Sequence, residues 1–545
     1  MHRRALTLVQ TRTAIALAAV VMLGTPVGAQ RMAALPPSCD LGGPTSARPP
    51  VAASRGALSL AVIPLSIGAG GTPLAFLADG FADAVAQRIA SAVPRIDVLG
   101  SRAYRRRGAD SSSTRAIGIE TGVRYVLTGH VSGSRDAVRL AVTLADVSTG
   151  ARRWTHTYVY DSTGALPIEQ SVAAEVAGRV TNLTSAERLR FTKASTRVPV
   201  AYEAVLRGDG AAATGSWADA ANAYRQALRA DRTFGLAFAK LAIADAALLE
   251  NGVEALGGVK LTAELRTSTD RALAIDSSLV VAWVAEARSR FLEGRPAAVW
   301  RRAFDRALSL DPRNARALEA YGYALALSGE RVQAREMLHR AIRATGGSAP
   351  MWGVLGELAF EERRDGDACS ALNQAVADDP LFAPAWALRA LLRARHDDLR
   401  FAWADAETAT LLGNPLLGES AGARVDLAAR DTARARQRLQ VLWRNVRAKG
   451  SVSAREGGAI AAALIAAGQT PRALDVLEMV RPRGPWYAAM LRASIFDRVR
   501  NNPRFRALID ARGWAAEARL GGEVRPSTMT RKVPARSNDP SRTTP

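Results

Sequence analysis

Ala307-Leu-Ser-Leu-Asp-Pro-Arg-Asn-Ala-Arg-Ala-Leu-Glu-Ala-Tyr-Gly-Tyr-Ala-Leu-Ala-Leu-Ser-Gly-Glu-Arg-Val-Gln-Ala-Arg-Glu-Met-Leu-His-Arg-Ala341 is the stretch on which the fold turns. It opens and closes on alanine, and Ala375 and Ala409 continue the series at the same interval of 34 residues. Ala334, Ala368 and Ala402 repeat that interval seven places earlier. Gly322 and Gly356, and Trp352 and Trp386, share it, and Pro312 and Pro380 share it at twice the length. Alanine is common here, so one coincidence carries little; a single register across four residue types carries much. The residue types suit two antiparallel helices, which approach closely only where side chains are small, as at Gly322, Ala334 and Ala341. Bulkier Tyr321, Leu325 and Leu338 would fill the space between them. Asp311-Pro312 and Asp379-Pro380 end the second helix, because proline cannot continue one.

A 34-residue repeat of helix pairs resembles the tetratricopeptide repeat. An earlier copy is legible in Gly208, Gly215, Ala220, Tyr224 and Ala227, a looser one ends near Ala272, and Gly468, Ala473 and Leu477 mark a later one. Seven to nine helical pairs are expected between 200 and 515, with 250–265 and 410–450 irregular. Asn502-Pro-Arg-Phe-Arg-Ala-Leu508 resembles the closing motif of such arrays. The resemblance implies an all-α superhelical solenoid whose concave face is lined by the first helix of each pair. That groove would present Arg316, Glu319, Tyr323, Glu357, Phe360, Leu391 and Arg395 to a protein or peptide ligand. The set lacks the Lys and Asn pattern by which some relatives clamp a peptide carboxylate, so an extended or helical peptide is expected instead.

Upstream, residues 57–190 read as a small α/β domain. Leu58 to Leu65 is a β-type run, Phe76 to Val93 has helical spacing through Phe81, Val85 and Ile89, and Ile96 to Leu99 is a second strand. A helix at Thr114 to Thr121 precedes three strands, Val123 to Val131, Ala137 to Val147 and Arg152 to Tyr160, and a helix from Leu166 to Thr181 closes the unit. Val138, Leu140, Val142 and Leu144 alternate with polar residues, which gives the sheet one buried face. Ala61-Val-Ile-Pro64, Phe76-Leu-Ala-Asp-Gly-Phe81, Gly122-Val-Arg-Tyr-Val-Leu-Thr-Gly-His-Val131 and Thr149-Gly-Ala-Arg-Arg-Trp154, in that order, resemble the TolB amino-terminal-like domain. The resemblance implies a non-catalytic module used in assembly or sensing. Its Gly68-Ala-Gly-Gly-Thr-Pro73 loop departs from the more polar loop of relatives, and it fits neither the dinucleotide nor the Walker fingerprint.

The first 29 residues read as a secretory signal peptide: Arg3, Arg4 and Arg12 precede an apolar run from Thr13 to Gly24, and Val27-Gly28-Ala29 offers a cleavage site. The run is short of the roughly 20 apolar residues that span a bilayer, so an uncleaved inner-membrane anchor is the alternative and no integral span is expected after cleavage. A periplasmic or secreted location follows. Residues 30–56, rich in Pro, Ser, Gly and Ala, read as a flexible linker, and 521–545 as a disordered basic tail. Cys39 and Cys369 give no metal spacing and no framework, though one long-range disulfide stays open.

The net charge of +22 first suggests nucleic acid. Only five of the 73 basic residues are lysine, however, and the arginines are scattered among acids. The tight run Arg105, Arg106 and Arg107 has no aromatic partner residues, so a solvated loop is expected and no nucleic acid. The five histidines show no ligand spacing, although His130 and His156 could neighbour each other across a sheet. No nucleophile elbow or kinase signature occurs, and Glu361-Glu362 and Asp378-Asp379 suit caps or solvated faces. The expectation is therefore a non-enzymatic exported scaffold or adaptor, without cofactor or metal, in the bacterial envelope. The alternative is a sensory or regulatory subunit whose output domain lies on another chain.

Overall fold

The computed structural model describes residues 37–41, 56–68, 75–100, 114–134, 137–160, 165–192, 195–250, 258–412, 414–481 and 484–510. The signal peptide at 1–29, the tail at 521–545, the arginines at 105–107 and all but Gly68 of the 68–73 loop lie outside them.

A mixed sheet opens the described chain, in the order β3-β1-β4-β5-β6: β1 Ser59–Val62, β3 Asp97–Leu99, β4 Tyr125–Ser134, β5 Ala137–Asp146 and β6 Arg152–Tyr160, with the two-residue β2 Ser66–Ile67 beside β4. β1 runs parallel to β3 and β4, and β4, β5 and β6 form an antiparallel meander in which Leu144 lies opposite Leu127 and Trp154. The expected first strand to Leu65 stops at Val62 because Pro64 has no N–H for the ladder. Helix α1 (Ala75–Ala92) and α3 (Ala165–Val180) cover one face, burying Val138, Leu140, Val142 and Leu144 against Val85, Ile89, Val172 and Val176. Helix α2 (Thr114–Thr121) covers part of the other face through Ile117, which meets Ala61, Leu99 and Val126.

After α4 (Ser185–Thr192) the rest of the described chain is helical. Eight helix pairs follow: α5 (Pro199–Ala213) and α6 (Trp217–Ala230), α7 (Gly235–Glu250) and α8 (Gly258–Ile275), α9 (Val280–Leu292) and α10 (Ala297–Leu310), α11 (Ala315–Leu327) and α12 (Arg331–Thr345), α13 (Ala349–Glu361) and α14 (Asp365–Asp378), α15 (Ala383–Arg395) and α16 (Leu399–Leu411), α17 (Pro415–Ala428) and α18 (Thr432–Lys449), α19 (Ala454–Ala466) and α20 (Thr470–Met479). Helix α21 (Pro485–Arg492), a 3-10 turn (Ser494–Val499) and α22 (Pro503–Asp510) close the array. The solenoid is thus of the tetratricopeptide type. The stretch 410–450, read as irregular, is a helix pair whose second member runs to 18 residues, which takes it out of the 34-residue register.

Close approach within pairs rests on the small residues. A Cβ on Gly322 would lie 2.8 Å from Leu338 Cγ, one on Gly356 2.8 Å from Leu372 Cγ, and one on Gly208 2.4 Å from Tyr224 Cε1. The turns between pairs repeat as well. Asp231, Asp276, Asp311 and Asp379 each accept a hydrogen bond from the N–H two residues on, at 2.8–3.1 Å, and this closes an Asx turn. Asp311 and Asp379 are extended, as a residue before proline must be. Trp283 and Trp386 each donate Nε1–H to the carbonyl six residues earlier, of Ser277 and Pro380, and so pin the next first helix onto the turn.

The α/β domain and the array share one core. The cluster around the sheet continues into Tyr202, Leu206, Tyr224, Phe234 and Leu241 of the first two pairs. Gly80 makes the junction possible, since a Cβ there would lie 2.6 Å from the Leu206 carbonyl oxygen. Among the described residues no helix is long and apolar enough to cross a membrane.

One buried carboxylate carries a pH dependence. Asp245 is fully buried on α7, 3.1 Å from Arg225, which also holds Glu264 of α8 at 2.7 Å. Burial and the Glu264 charge push the Asp245 pKa up to about 7 against the pull of Arg225. A carboxyl whose folded value is raised stabilises fully below its unfolded value near 4, and that stability is lost as pH rises through 7.

Two measurements check this packing and charge. Gly322→Val should lower the chemical denaturation midpoint by the equivalent of about 1–3 kcal/mol, because the new side chain meets Leu338. A melting temperature that falls between pH 6 and 8.5 in the native chain should be nearly flat over that range in Asp245→Asn.

Candidate functional site

The array curls until its carboxy-terminal end meets its fourth pair. Helix α21 contacts α11, five pairs earlier in the chain. The Arg492 guanidinium donates to the Leu327 carbonyl, Ser494 Oγ donates to Glu361 Oε2 at 3.1 Å, and Ala459 of α19 packs against the large core of the central pairs. First helices meet first helices, so α11, α13, α15 and α17 line the inside of a closed turn.

The seven residues expected on this face fall into small groups. Tyr323 donates its hydroxyl to Glu319 at 3.0 Å, one helical turn back on α11. Burial, then the Glu319 charge, holds the Tyr323 pKa well above the usual phenol range, and Arg455 of α19 acts in the opposite sense. Phe360 is buried, and the Arg395 guanidinium carbon sits 3.7 Å from its ring centroid. Arg395 is fixed there by hydrogen bonds to Asp365 at 2.5 Å and to the Phe360 carbonyl at 3.3 Å. His396 meets the other oxygen of the same carboxylate at 2.7 Å. Leu391 is half-buried against the central core. Arg316 is half-exposed, and Glu357 is the one member of the seven that is exposed. The structure thus joins Glu319 to Tyr323 and Phe360 to Arg395, and it leaves Arg316, Glu357 and Leu391 outside both pairs.

Sequence reasoning missed the groups that arrive from later pairs. Arg424 of α17 lies near Arg395 and Glu361, and burial, then the Arg395 charge, pushes its pKa down to about 10 while Glu361 opposes. Arg455 stacks over Trp486 at 5.7 Å and faces Tyr323. No local pattern announces contacts between residues tens to more than a hundred places apart. A separate open pocket of about 450 Å³ lies between α6, α7 and α8, lined by Arg225, Arg229, Arg232, Phe238 and Glu264 among others. Its Arg225 is committed to Glu264 and Asp245.

Other expectations resolve one by one. His130 and His156 do not face each other: His130 lies opposite Ala141 and His156 opposite Val142, so they sit two strands apart on opposite faces of the sheet. Among the described residues no group of three metal-capable side chains gathers. Glu362 binds Arg335 and Arg364, which hold its carboxyl below the usual range against burial, and Asp379 caps a turn. Both are structural. The segment at 30–56 is not free along its whole length, because residues 37–41 are bonded to the array and Cys39 forms a disulfide with Cys369 of α14. Composition marks a linker there and gives no sign of a contact 330 residues away.

No family model matches the chain, and no curated protein matches it significantly. Solved structures of similar shape include Pseudomonas aeruginosa PilF, at 20% identity over 39% of this chain and 92% of that one with a TM-score of 0.33. Yeast Tom70 aligns at 14% identity over 64% and 83%, TM-score 0.34, and a human IFIT1 dimer with PPP-AAAA at 16% over 58% and 84%, TM-score 0.35. At these scores we rest no argument on them; the repeat architecture stands on the helix pairs themselves.

Proposed function

We propose that the chain is a non-catalytic scaffold of the bacterial cell envelope, periplasmic or secreted, which holds a protein or peptide partner at the inner face of its array. A TolB-like identity for the α/β domain belongs to the same reading and rests on its four sequence motifs. One observation carries the proposal: successive first helices bring the Tyr323–Glu319 pair, the Phe360–Arg395 stack and the exposed Glu357 to one enclosed face. Aromatic and arginine side chains held rigidly beside hydrogen-bonding carboxylates are the composition of binding hot spots. No nucleic-acid role is proposed, since many of the arginines are spent on neighbouring acids, as Arg335, Arg395 and Arg438 are.

A photo-crosslinking residue placed at Glu357 or Arg316, in cells that make the protein natively, should capture a defined protein. The same residue at the exposed Val332 of α12 should not capture it. Equal capture at all three positions, or at none, would move the binding surface away from the inner face.

A further inference from the structure

Residues 37–41, Pro37-Ser-Cys-Asp-Leu41, lie across α14 and α15 as a strap without regular secondary structure. The Cys39 N–H donates to Asn373 Oδ1 at 3.1 Å, and Asn373 Nδ2 donates back to the Cys39 carbonyl at 2.9 Å. One side-chain amide thus reads both backbone groups of one residue. Arg393 donates to the Pro37 carbonyl, Leu41 packs against the central core, and Cys39 is bonded to Cys369. These are the bonds by which a protein holds a peptide: backbone groups matched in pairs, with one side chain anchored.

The receiving surface is built for this. Arg389 Nη1 donates to Asn373 Oδ1 at 3.0 Å and so fixes the amide, and the same guanidinium pairs with both oxygens of Asp405 at 2.7 and 2.8 Å. Arg393 Nε lies 3.0 Å from Asp405 Oδ2. Arg389, Arg393 and Asp405 are all at most 1% exposed. In the preceding repeat the positions 34 residues earlier are Leu355, Ala359 and Ala371, an apolar set. Replacing an apolar interior by a buried ion cluster costs stability or at best breaks even. The cluster braces Asn373 and turns Arg393 toward the strap, and Asp398 adds a second carboxylate 3.6 Å from Arg393 Nη1.

We propose that this face of α14 and α15 is a binding site for an extended, cysteine-bearing segment of a partner protein, that the strap is its resident occupant in cis, and that reduction of Cys39–Cys369 opens it. A dithiol reductant supplies the two electrons and two protons that convert the disulfide to two thiols, and is itself oxidised to a disulfide. The strap then loses its covalent anchor while its hydrogen bonds and Leu41 remain, and a partner segment with a carbonyl two residues before its cysteine and an apolar residue two after it competes for the same contacts. The inference goes beyond the inner-face reading and stands or falls separately from capture at Glu357.

The probe is a peptide of residues 35–43 with its cysteine activated as the thionitrobenzoate disulfide. In the full chain carrying Cys39→Ser, the Cys369 thiolate attacks the peptide sulfur and coloured thionitrobenzoate leaves with the electron pair. The rate should saturate with peptide and exceed that of activated free cysteine at least tenfold, and adding Asn373→Ala should return it to the free-cysteine rate. Equal rates for peptide and free cysteine would overturn the site. Hydrogen exchange on the native chain supplies the second arm: with reductant, residues 37–41 should lose protection while α14 and α15 keep theirs. Loss from the helices as well would make the disulfide a structural staple and overturn the gate. If reoxidation instead yields dimers linked through Cys39 and Cys369 of different copies in preference to peptide uptake, the occupant is a second copy and the partner assignment falls.

Discussion

A helix with a single apolar stripe gains nothing from folding alone, so everything downstream of residue 199 depends on how closely paired helices can approach. The chain solves this with one contact repeated at constant spacing: the space left by a missing Cβ is filled by the side chain sixteen residues on, as in Gly208 with Tyr224, Gly322 with Leu338 and Gly356 with Leu372. Close pairs stack on their neighbours with a constant small rotation, and the rotation accumulates into curvature. The meeting of α21 with α11 is therefore a distant consequence of those local contacts. Widening one pair would alter the curvature at its own position and displace the Arg492 and Ser494 contacts on the far side of the turn.

Against this apolar background the interior of the α15–α16 pair is an exception. Burial raises the Asp405 carboxyl pKa and lowers that of Arg393, each against the pull of its partner, so desolvation works against both charges at once. Hydrogen bonds from Arg389 and the ion pair with Arg393 compensate, and stacking of Arg389 on Trp386 at 4.5 Å and of Arg393 near Phe401 at 5.2 Å keeps the guanidinium planes packed. Such a cluster adds little net stability but tolerates few geometries. Its value in this fold is the added constraint on Asn373, whose Oδ1 would lose the Arg389 hydrogen bond to a leucine at 389.

What the sequence made legible follows from range. The period was visible because the second helices α10, α12, α14 and α16 begin at 297, 331, 365 and 399, so that identical packing demands recur at identical intervals. The alternation along β5 was visible because strand periodicity is a two-residue property. Register loss at α17–α18 hid a pair that differs only in length. Of the candidate site, the helices and faces were legible, since both are set by local spacing. The partners of those residues were not: Arg455 beside Tyr323, Arg424 beside Arg395 and Ser494 on Glu361 are separated by tens to more than a hundred residues and depend on the summed curvature. The opposed faces of His130 and His156 depend on a one-residue register, which no composition encodes.

These constraints also limit what a partner can be. The inner face is crossed by α19 and α21, and of its seven candidate residues only Glu357 is exposed. A folded domain needs a contact patch of roughly 800 Å² on each side, and such a patch cannot form where the opposite wall already touches. An extended segment needs only a channel one strand wide and can use backbone hydrogen bonds where side-chain space is short. The strap on α14 and α15 already meets those terms, with its backbone bonded to Asn373 and Arg393 and a single leucine in the core. The amino-terminal end of the array adds a further restriction, because the core it shares with the sheet through Gly80 and Leu206 leaves little freedom to open there. Adjustment to a ligand falls instead to the contacts that close the turn, hydrogen bonds from Arg492 and Ser494 and the packing of the single small side chain of Ala459 on the central core.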